Sequence, residues 1–355
     1  MRQHIGGGIR RDQINWSLLA QRAGVLLLLG GLGLYALWPW LPGTQAAPKR
    51  TIVLYGFSIL GEVVNEGIFP AFQAEWEART GEQIEIASAF ASSGTITNQI
   101  ILGVPAEVAI VSLELDALRL VENGVVPGPT WRDLPHSGVV NRTPFIILTR
   151  PGNPKGIADF ADLARPGVGV VHPDPLTSGG AQWALLAEYG SVILETGDEE
   201  LAFNQLLGIW RNVVAQAGSA RAARTQFENG FGDALITYEQ EAVFDRARGR
   251  LAAEIVYPPG TVLSEHTVVV IDKNITPAQR DLIDAFVDFL WSETAQRIFV
   301  EYGFRSVDDS LNEANPNFGH IARPFTVDDL GGWSQVKEEI IEAIWKGRVL
   351  PMINQ

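Results

Sequence analysis

Val168-Gly-Val-Val171 is followed, over residues 172–189, by HPDPLTSGGAQWALLAEY. The short apolar run reads as a buried strand, and the stretch after Gly180 reads as a helix. Between them stands Ser178-Gly179-Gly180. Serine is favoured just before a helix, where its hydroxyl satisfies an orphan backbone N–H. Glycine at the next two positions lets another group reach the backbone with no side chain in the way. The unit is strand, serine turn, helix.

The same unit recurs along the chain. TIVLYGF (51–57) leads into Ser58 and Ile59, and Ile84–Ala87 is followed by Ser92-Ser93-Gly94 before TITNQIIL. Gly218-Ser219 precedes ARAARTQF, and further strand runs lie at Val108–Val111 and Ala234–Thr237. Strands alternating with helical patterns predict an α/β fold with largely parallel sheets. Apolar runs at Phe145–Leu148 and Val268–Ile271 flank the middle of the chain and read as crossings between two lobes. The division expected is lobe 1 over 51–140 plus 265–355 and lobe 2 over 141–264. Amphipathic helices are expected at Leu113–Asn123, Gln279–Glu301 and Val336–Ile344.

A serine at one helix start is an ordinary cap, but several on a two-lobed α/β chain suit a ligand. Helix N-termini offer unpaired donors and about half a positive charge, which together favour an anion. In open α/β sheets ligands settle beyond the carboxyl ends of the strands, where these turns fall.

Composition narrows the alternatives. The 355 residues carry 27 basic and 41 acidic side chains, a net charge of −14, with 46% hydrophobic residues and no cysteine. That is globular composition with room for about two domains. The missing cysteine excludes disulfides, thiolate zinc sites, iron–sulfur clusters and a cysteine nucleophile. An acidic balance argues against nucleic acid, whose capture needs a basic surface. His4, His136, His172, His266 and His320 are scattered with no i, i+4 pair, and no G-x-S-x-G or phosphate-loop motif is present. A hydrolase of anionic esters therefore lacks a recognisable nucleophile or metal cluster, and no cofactor is expected. Arg221 and Arg224, close to Ser219, read as solvated helix surface.

The N-terminus bears on location. Ala23–Leu41 has no charge and follows Arg2, Arg10, Arg11 and Arg22. Nineteen helical residues span about 28 Å, close to a bilayer's hydrocarbon thickness. The run exceeds a usual signal-peptide core, so an uncleaved signal anchor is preferred to a cleaved signal. The expected order is a cytoplasmic segment 1–22, the anchor 23–41, a tether 42–50, and a working part outside the cytoplasm. A cytoplasmic segment of this size is too short for a signalling domain, which disfavours a membrane sensor.

The stretch RPGNPKGIADFADLARPGV (150–168), continuing to HPDPLTSGGAQW (172–183), closely resembles the sulfate-binding proteins of ABC import systems. The resemblance extends more weakly over roughly 51–345, through FENGFGDALITYEQEA (227–242), EHTVVVIDK (265–273) and FTVDDLGGW (325–333). It implies a periplasmic-type receptor of type II, two lobes joined by two crossing strands, closing on a dehydrated tetrahedral dianion for a membrane permease. A monomer is the default for this architecture. The family's ligand positions fall on Ser93 and Gly94, on Ser178, Gly179 and Gly180 with Trp183 nearby, and on Gly218-Ser219. Two positions depart. Ser58 and Ile59 stand where the family has an aspartate turn, and Tyr238 replaces a tryptophan that donates its indole N–H. Tyrosine both donates and accepts, whereas indole only donates. Ser58, Ser93 and Tyr238 also look like the hydroxyl set of molybdate and tungstate receptors, so molybdate, tungstate and phosphate stay open beside sulfate.

Overall fold

The structure, a computed structural model, describes the backbone of residues 16–37 and 49–354 and the side chains of 24–35 and 49–354. The chain divides into two compact units, 1–49 and 50–355. In the first, helix α1 (Trp16–Leu37) leaves Val25–Leu29, Leu32, Leu34 and Tyr35 exposed. Among the described residues no helix is long and apolar enough to cross a membrane. The last residues of the expected anchor (38–41) and most of the tether (42–48) lie outside the described residues.

The second unit opens with β1 (Thr51–Phe57), where alternate residues such as Ile52 and Leu54 are buried. A 3₁₀ turn at Ser58–Leu60 and a π-helical segment at Val63–Ile68 lead into α2 (Phe69–Thr80). Then follow β2 (Glu85–Ala91), α3 (Ser93–Ile101), β3 (Val108–Val111) and α4 (Glu114–Glu122). After β4 (Val139–Thr149) and the short α5 (Phe160–Leu163) come β5 (Val170–Pro173), α6 (Gly179–Thr196) and α7 (Glu199–Arg211). Next are β6 (Val213–Ala217), α8 (Ala220–Glu228), β7 (Ala234–Tyr238), α9 (Glu239–Ala247) and β8 (Glu254–Val256). The chain returns through β9 (Gly260–Val270), α10 (Arg280–Phe289) and α11 (Glu293–Glu301).

The strand order is β2-β1-β3-β9-β4-β7-β5-β6. On the first side β1 pairs parallel with β2 and β3, and β9 closes the group antiparallel, Val108 facing Val270. On the second side β5 pairs parallel with β6 and β7, and β4 closes that group antiparallel, Phe145 facing Tyr238. Thus each lobe is a parallel sheet ending in one of two 11-residue strands. These two strands pair with each other between the lobes, Val139 facing Thr267 and Pro144 facing Leu263.

The crossings are longer than the apolar runs that announce them, because polar residues fill the paired stretch. Most of their polar groups satisfy one another, Asn141 Nδ2 alone among them being left without a partner. Ser264 Oγ donates to Thr143 O at 2.6 Å, Gln240 N donates to Thr143 Oγ1 at 3.0 Å, and His266 Nδ1 lies 2.6 Å from Asn141 Oδ1. The helix expected at 279–301 is two helices. Ser292 breaks it by accepting from Ala295 N at 3.1 Å and starting α11 afresh. The helix expected at Val336–Ile344 is a π-helical segment running from Val336 to Val349. It lies on the helices that follow the serine turn at Ser178. Trp345 packs edge-on to Trp210 at 5.5 Å, Trp333 meets Trp183 at 4.9 Å, and Arg348 donates to Glu200 at 2.9 Å.

Phe286 of α10 is fully buried, with the rings of Phe69 and Phe72 centred 5.9 and 5.1 Å away. Truncating it opens a cavity that this close aromatic packing cannot collapse into. Phe286→Ala is expected to lower unfolding free energy by about 3–5 kcal/mol, read from urea denaturation.

His266, buried on the crossing strand, is pushed down by desolvation from 6.5 to about 3. Between those two pH values the unfolded chain takes up a proton that the folded chain refuses, so stability is lost as pH falls through that window. His266→Gln removes this share of the slope. Urea midpoints at pH 4, 5, 6 and 7 are expected to show the wild type losing stability faster than the variant toward acid.

Candidate functional site

The serine turns stand at the carboxyl ends of the parallel strands, as the alternation predicts. After β2, Ser92 caps α3, accepting from Thr95 N at 3.4 Å, which leaves the neighbouring Ser93 hydroxyl free for another task. After β5, Ser178 caps α6 by accepting from Ala181 N at 3.3 Å. After β6, Ser219 caps α8 by accepting from Ala222 N at 3.2 Å. The N–H groups of Gly94, Gly179 and Gly180 fall in first helical turns, where the helix itself supplies no acceptor.

These starts meet across the cleft. A Cβ added to Gly94 would lie 2.9 Å from Thr177 O, and one on Gly179 would lie 2.9 Å from Ser112 Oγ and 3.1 Å from Ser93 Cβ. One on Gly180 would lie 2.9 Å from Tyr238 Oη. Gly94 and Gly179 thus permit the two lobes to close on each other, while Gly180 makes room for Tyr238 within the second lobe. Ser112 N donates to Ser93 Oγ at 2.9 Å, and Ser112 Oγ is 2.9 Å from Tyr238 Oη. Trp183 Nε1 donates to Ser112 O at 2.7 Å. Ser93, Gly94, Ser178, Gly179, Gly180 and Tyr238 are therefore brought to one buried point. Ser219 joins it less directly, through Thr177 Oγ1 donating to Gly218 O at 3.1 Å. Ser58 and Ile59 form the 3₁₀ turn that ends β1, beyond Phe57, whose ring is centred 6.2 Å from that of Tyr238.

Ser112 is absent from the residues the sequence singles out. It follows an apolar strand directly and precedes Leu113, so only its place at a strand's carboxyl end could have marked it. All three of its polar groups are tied to site residues.

Burial sets the electrostatics of this point. Burial raises the Tyr238 phenol above its ordinary range, so it is a hydroxyl and not a phenolate. Burial also raises the Asp116 carboxyl, against the hydrogen bond from Ser93 and the charge of Arg119. Arg119 is occupied, donating to Asp116 Oδ1 at 3.0 Å and to Asn98 Oδ1 at 2.5 Å. Arg221 and Arg224 are not the solvated surface expected of them. Arg224 is buried and bonded to Glu228, Asp245 and the Glu241 carbonyl. Arg221 donates from Nε to Glu241 at 2.7 Å and from its two terminal nitrogens to Glu62 at 2.7 and 2.9 Å. The buried Glu241 carboxylate draws in Arg221, and Asp245 and Glu228 hold Arg224. Among the described residues no group of three or more His, Asp or Glu is placed to hold a metal.

Two α/β lobes on a pair of crossing strands, with helix starts converging in the cleft, define a solute-binding protein of the periplasmic type. Residues 65–305 match the model of the family described as bacterial extracellular solute-binding protein, and the chain belongs to that family. Among its relatives is the sulfate-binding protein of Synechococcus elongatus, 34% identical over 304 residues, covering 84% of this chain and 85% of that one. The thiosulfate-binding protein of Pseudomonas aeruginosa is 34% identical over 276 residues, covering 77% and 80%. Among solved structures, the sulfate-binding protein SubI from Mycobacterium tuberculosis superposes with a TM-score of 0.74 at 30% identity, covering 81% of this chain and 98% of that one.

Because α6 starts against Ser112 and Ser93, a methyl group on Gly179 must push the lobes apart, while a helical backbone tolerates alanine well. Solution scattering of Gly179→Ala is expected to give a larger radius of gyration than the wild type. Its urea stability should stay within about 1 kcal/mol, since helix propensity favours the change.

Proposed function

We propose that this chain is the extracytoplasmic receptor of an ABC importer and that its solute is sulfate or a closely related tetrahedral oxyanion. The observation that carries the reading is the convergence of the α3 and α6 starts on the Ser93, Ser112 and Tyr238 hydroxyls, with the nearby guanidiniums already paired. Such a site holds charge with dipoles. Each hydrogen bond to a charged group is worth about 1.5–3 kcal/mol net of the water it replaces, so about six donors supply about 9–18 kcal/mol toward binding. In this reading Ser93, Gly94, Ser178, Gly179, Gly180 and Tyr238 touch the ion, and the turns at Ser58-Ile59 and Ser219 contribute backbone N–H groups. The lobes are 51–140 plus 265–355 and 141–264, with the terminal helix strapped over the second.

The relatives named for sulfate and thiosulfate support the ligand class, and the family's extracellular character supports the location. The uncharged run from Ala23 supports an N-terminal anchor beside the permease, with the receptor acting as a monomer. A carrier performs no chemistry on its ion, so no turnover of a sulfate or phosphate ester is expected. A second reading, a molybdate or tungstate receptor, is favoured by one feature: the site's hydroxyls include Tyr238 where an indole would only donate.

Calorimetric titration of the purified chain with sulfate, thiosulfate, molybdate, tungstate and phosphate tests both. Sulfate or thiosulfate is expected to bind most tightly, and Ser93→Ala to weaken that binding about 10- to 100-fold, the worth of one charge-assisted hydrogen bond. Tightest binding of molybdate or tungstate would select the second reading. Silence with all five anions would refute an oxyanion receptor.

A further inference from the structure

Beside the point where α3 meets the Ser178 turn lies an open pocket of about 230 Å³. Gly94 lines it from the first lobe, Thr177 from the second, and Lys337 and Lys346 from the C-terminal segment. Only five of the chain's 27 basic residues are lysines, so two of the five border this one pocket. Their placement depends on the π-helical winding of Val336–Val349. Nine residues make about two and a half turns of an α-helix, which would put the two lysines on opposite faces. A π-helix instead bonds residue i to i+5, which stacks Lys337 with Glu342 and Ile341 with Lys346. All four of these residues line the pocket.

Both ammonium groups are half-exposed and keep donors in reserve. Lys337 Nζ lies 3.5 Å from Glu122 Oε1, longer than a usual hydrogen bond, and Lys346 Nζ donates to Glu342 Oε1 at 2.6 Å. An ammonium carries three N–H donors, so among the described residues the protein takes at most one from each. The remaining charged groups of the pocket hold each other: Arg119 donates to Asp116, whose carboxyl burial raises.

We propose that Lys337 and Lys346 form a gathering site for the oxyanion at the mouth of the cleft, where the ion pauses with its water before the helix starts take it. Lysine suits that task, since a compact, strongly hydrated charge on a flexible stem attracts an anion without fixing its orientation. Discrimination stays with the neutral donors inside. The lysines raise the local concentration of an ion that the chain's net charge of −14 otherwise repels.

This inference rests on the oxyanion reading for the ion that is gathered, and two measurements separate the two. Stopped-flow tryptophan fluorescence gives association and dissociation rates of sulfate for the wild type, Lys337→Gln, Lys346→Gln, the double variant and Lys273→Gln. Lys273 stands in the turn Asp272–Asn274 after β9, at the opposite edge of the sheet from the serine turns, so its loss changes the net charge equally but not the pocket. Rim charges act on association, so at about 10 mM salt each pocket variant is expected to associate about 3-fold more slowly and the double variant about 10-fold. Dissociation should stay within about twofold throughout, and Lys273→Gln should match the wild type. At about 0.3 M salt the differences should shrink below about twofold, because screening shortens the reach of the ammonium groups. Unchanged association in the double variant, an equal fall in Lys273→Gln, or a loss confined to dissociation would overturn the gathering site. If the wild type binds no tested oxyanion in the cleft, the oxyanion reading fails alone and the second measurement decides the pocket. Carbon-13 methylation of the lysines keeps their charge. Millimolar sulfate is then expected to shift the methyl resonances of Lys337 and Lys346 but not those of Lys155 and Lys273. Equal shifts at all four, or none, overturn the site.

Discussion

A helix cannot satisfy the N–H groups of its own first turn, and the architecture of this chain is arranged around that deficit. Parallel strands put the starts of their following helices at one edge of each sheet. Two sheets joined by crossing strands bring two such edges face to face. Ser92, Ser178 and Ser219 each satisfy one orphan donor, and the glycines beside them leave others bare. Bare donors from both lobes then face a shared space, where only an acceptor-rich, negatively charged solute repays their desolvation.

The crossing strands show the same economy in the opposite sense. The stretch where β4 and β9 pair between the lobes is polar, not apolar. Here Asn141, Thr143, Ser264 and His266 are buried and, Asn141 Nδ2 apart, bond chiefly to one another and to the start of α9. His266 also lies against Phe57, ring centres 4.4 Å apart, so the hinge reaches the wall of the site. A neutral imidazole suits that place, since a charged one would face the phenyl rings of Phe57 and Phe304 with no carboxylate to pair it.

Local chemistry made much of this legible in the sequence. Strand, serine and helix are adjacent in the chain, so period and capping preference reveal Ser178-Gly-Gly and Gly218-Ser219 directly. What depends on distant partners was not legible. Ser92 and Ser93 look alike in sequence, yet Ser92 caps and Ser93 turns to Ser112, a division decided by where β3 ends. Ser112 carries no local signature because its partners lie up to 126 residues away. Arg221 looked like helix surface for the same reason: Glu62 is 159 residues distant. The break at Ser292 was missed because the apolar spacing of α10 runs smoothly into α11, and only the cap hydrogen bond separates them.

The charge pattern follows from these partners. A chain of net charge −14 repels a dianion at long range, yet its cleft holds no free guanidinium to counter this among the described residues. Pairing a buried cation with the ligand would cost desolvation that the attraction need not return, and it would bind any anion of the right sign. Dipoles fixed by helices discriminate by geometry and by the number of protons a ligand carries. The arginines are instead paired with carboxylates, Arg119 with Asp116 and Arg221 with Glu62 and Glu241. In the proposed reading these pairings keep the arginines from the ligand and leave its recognition to neutral donors.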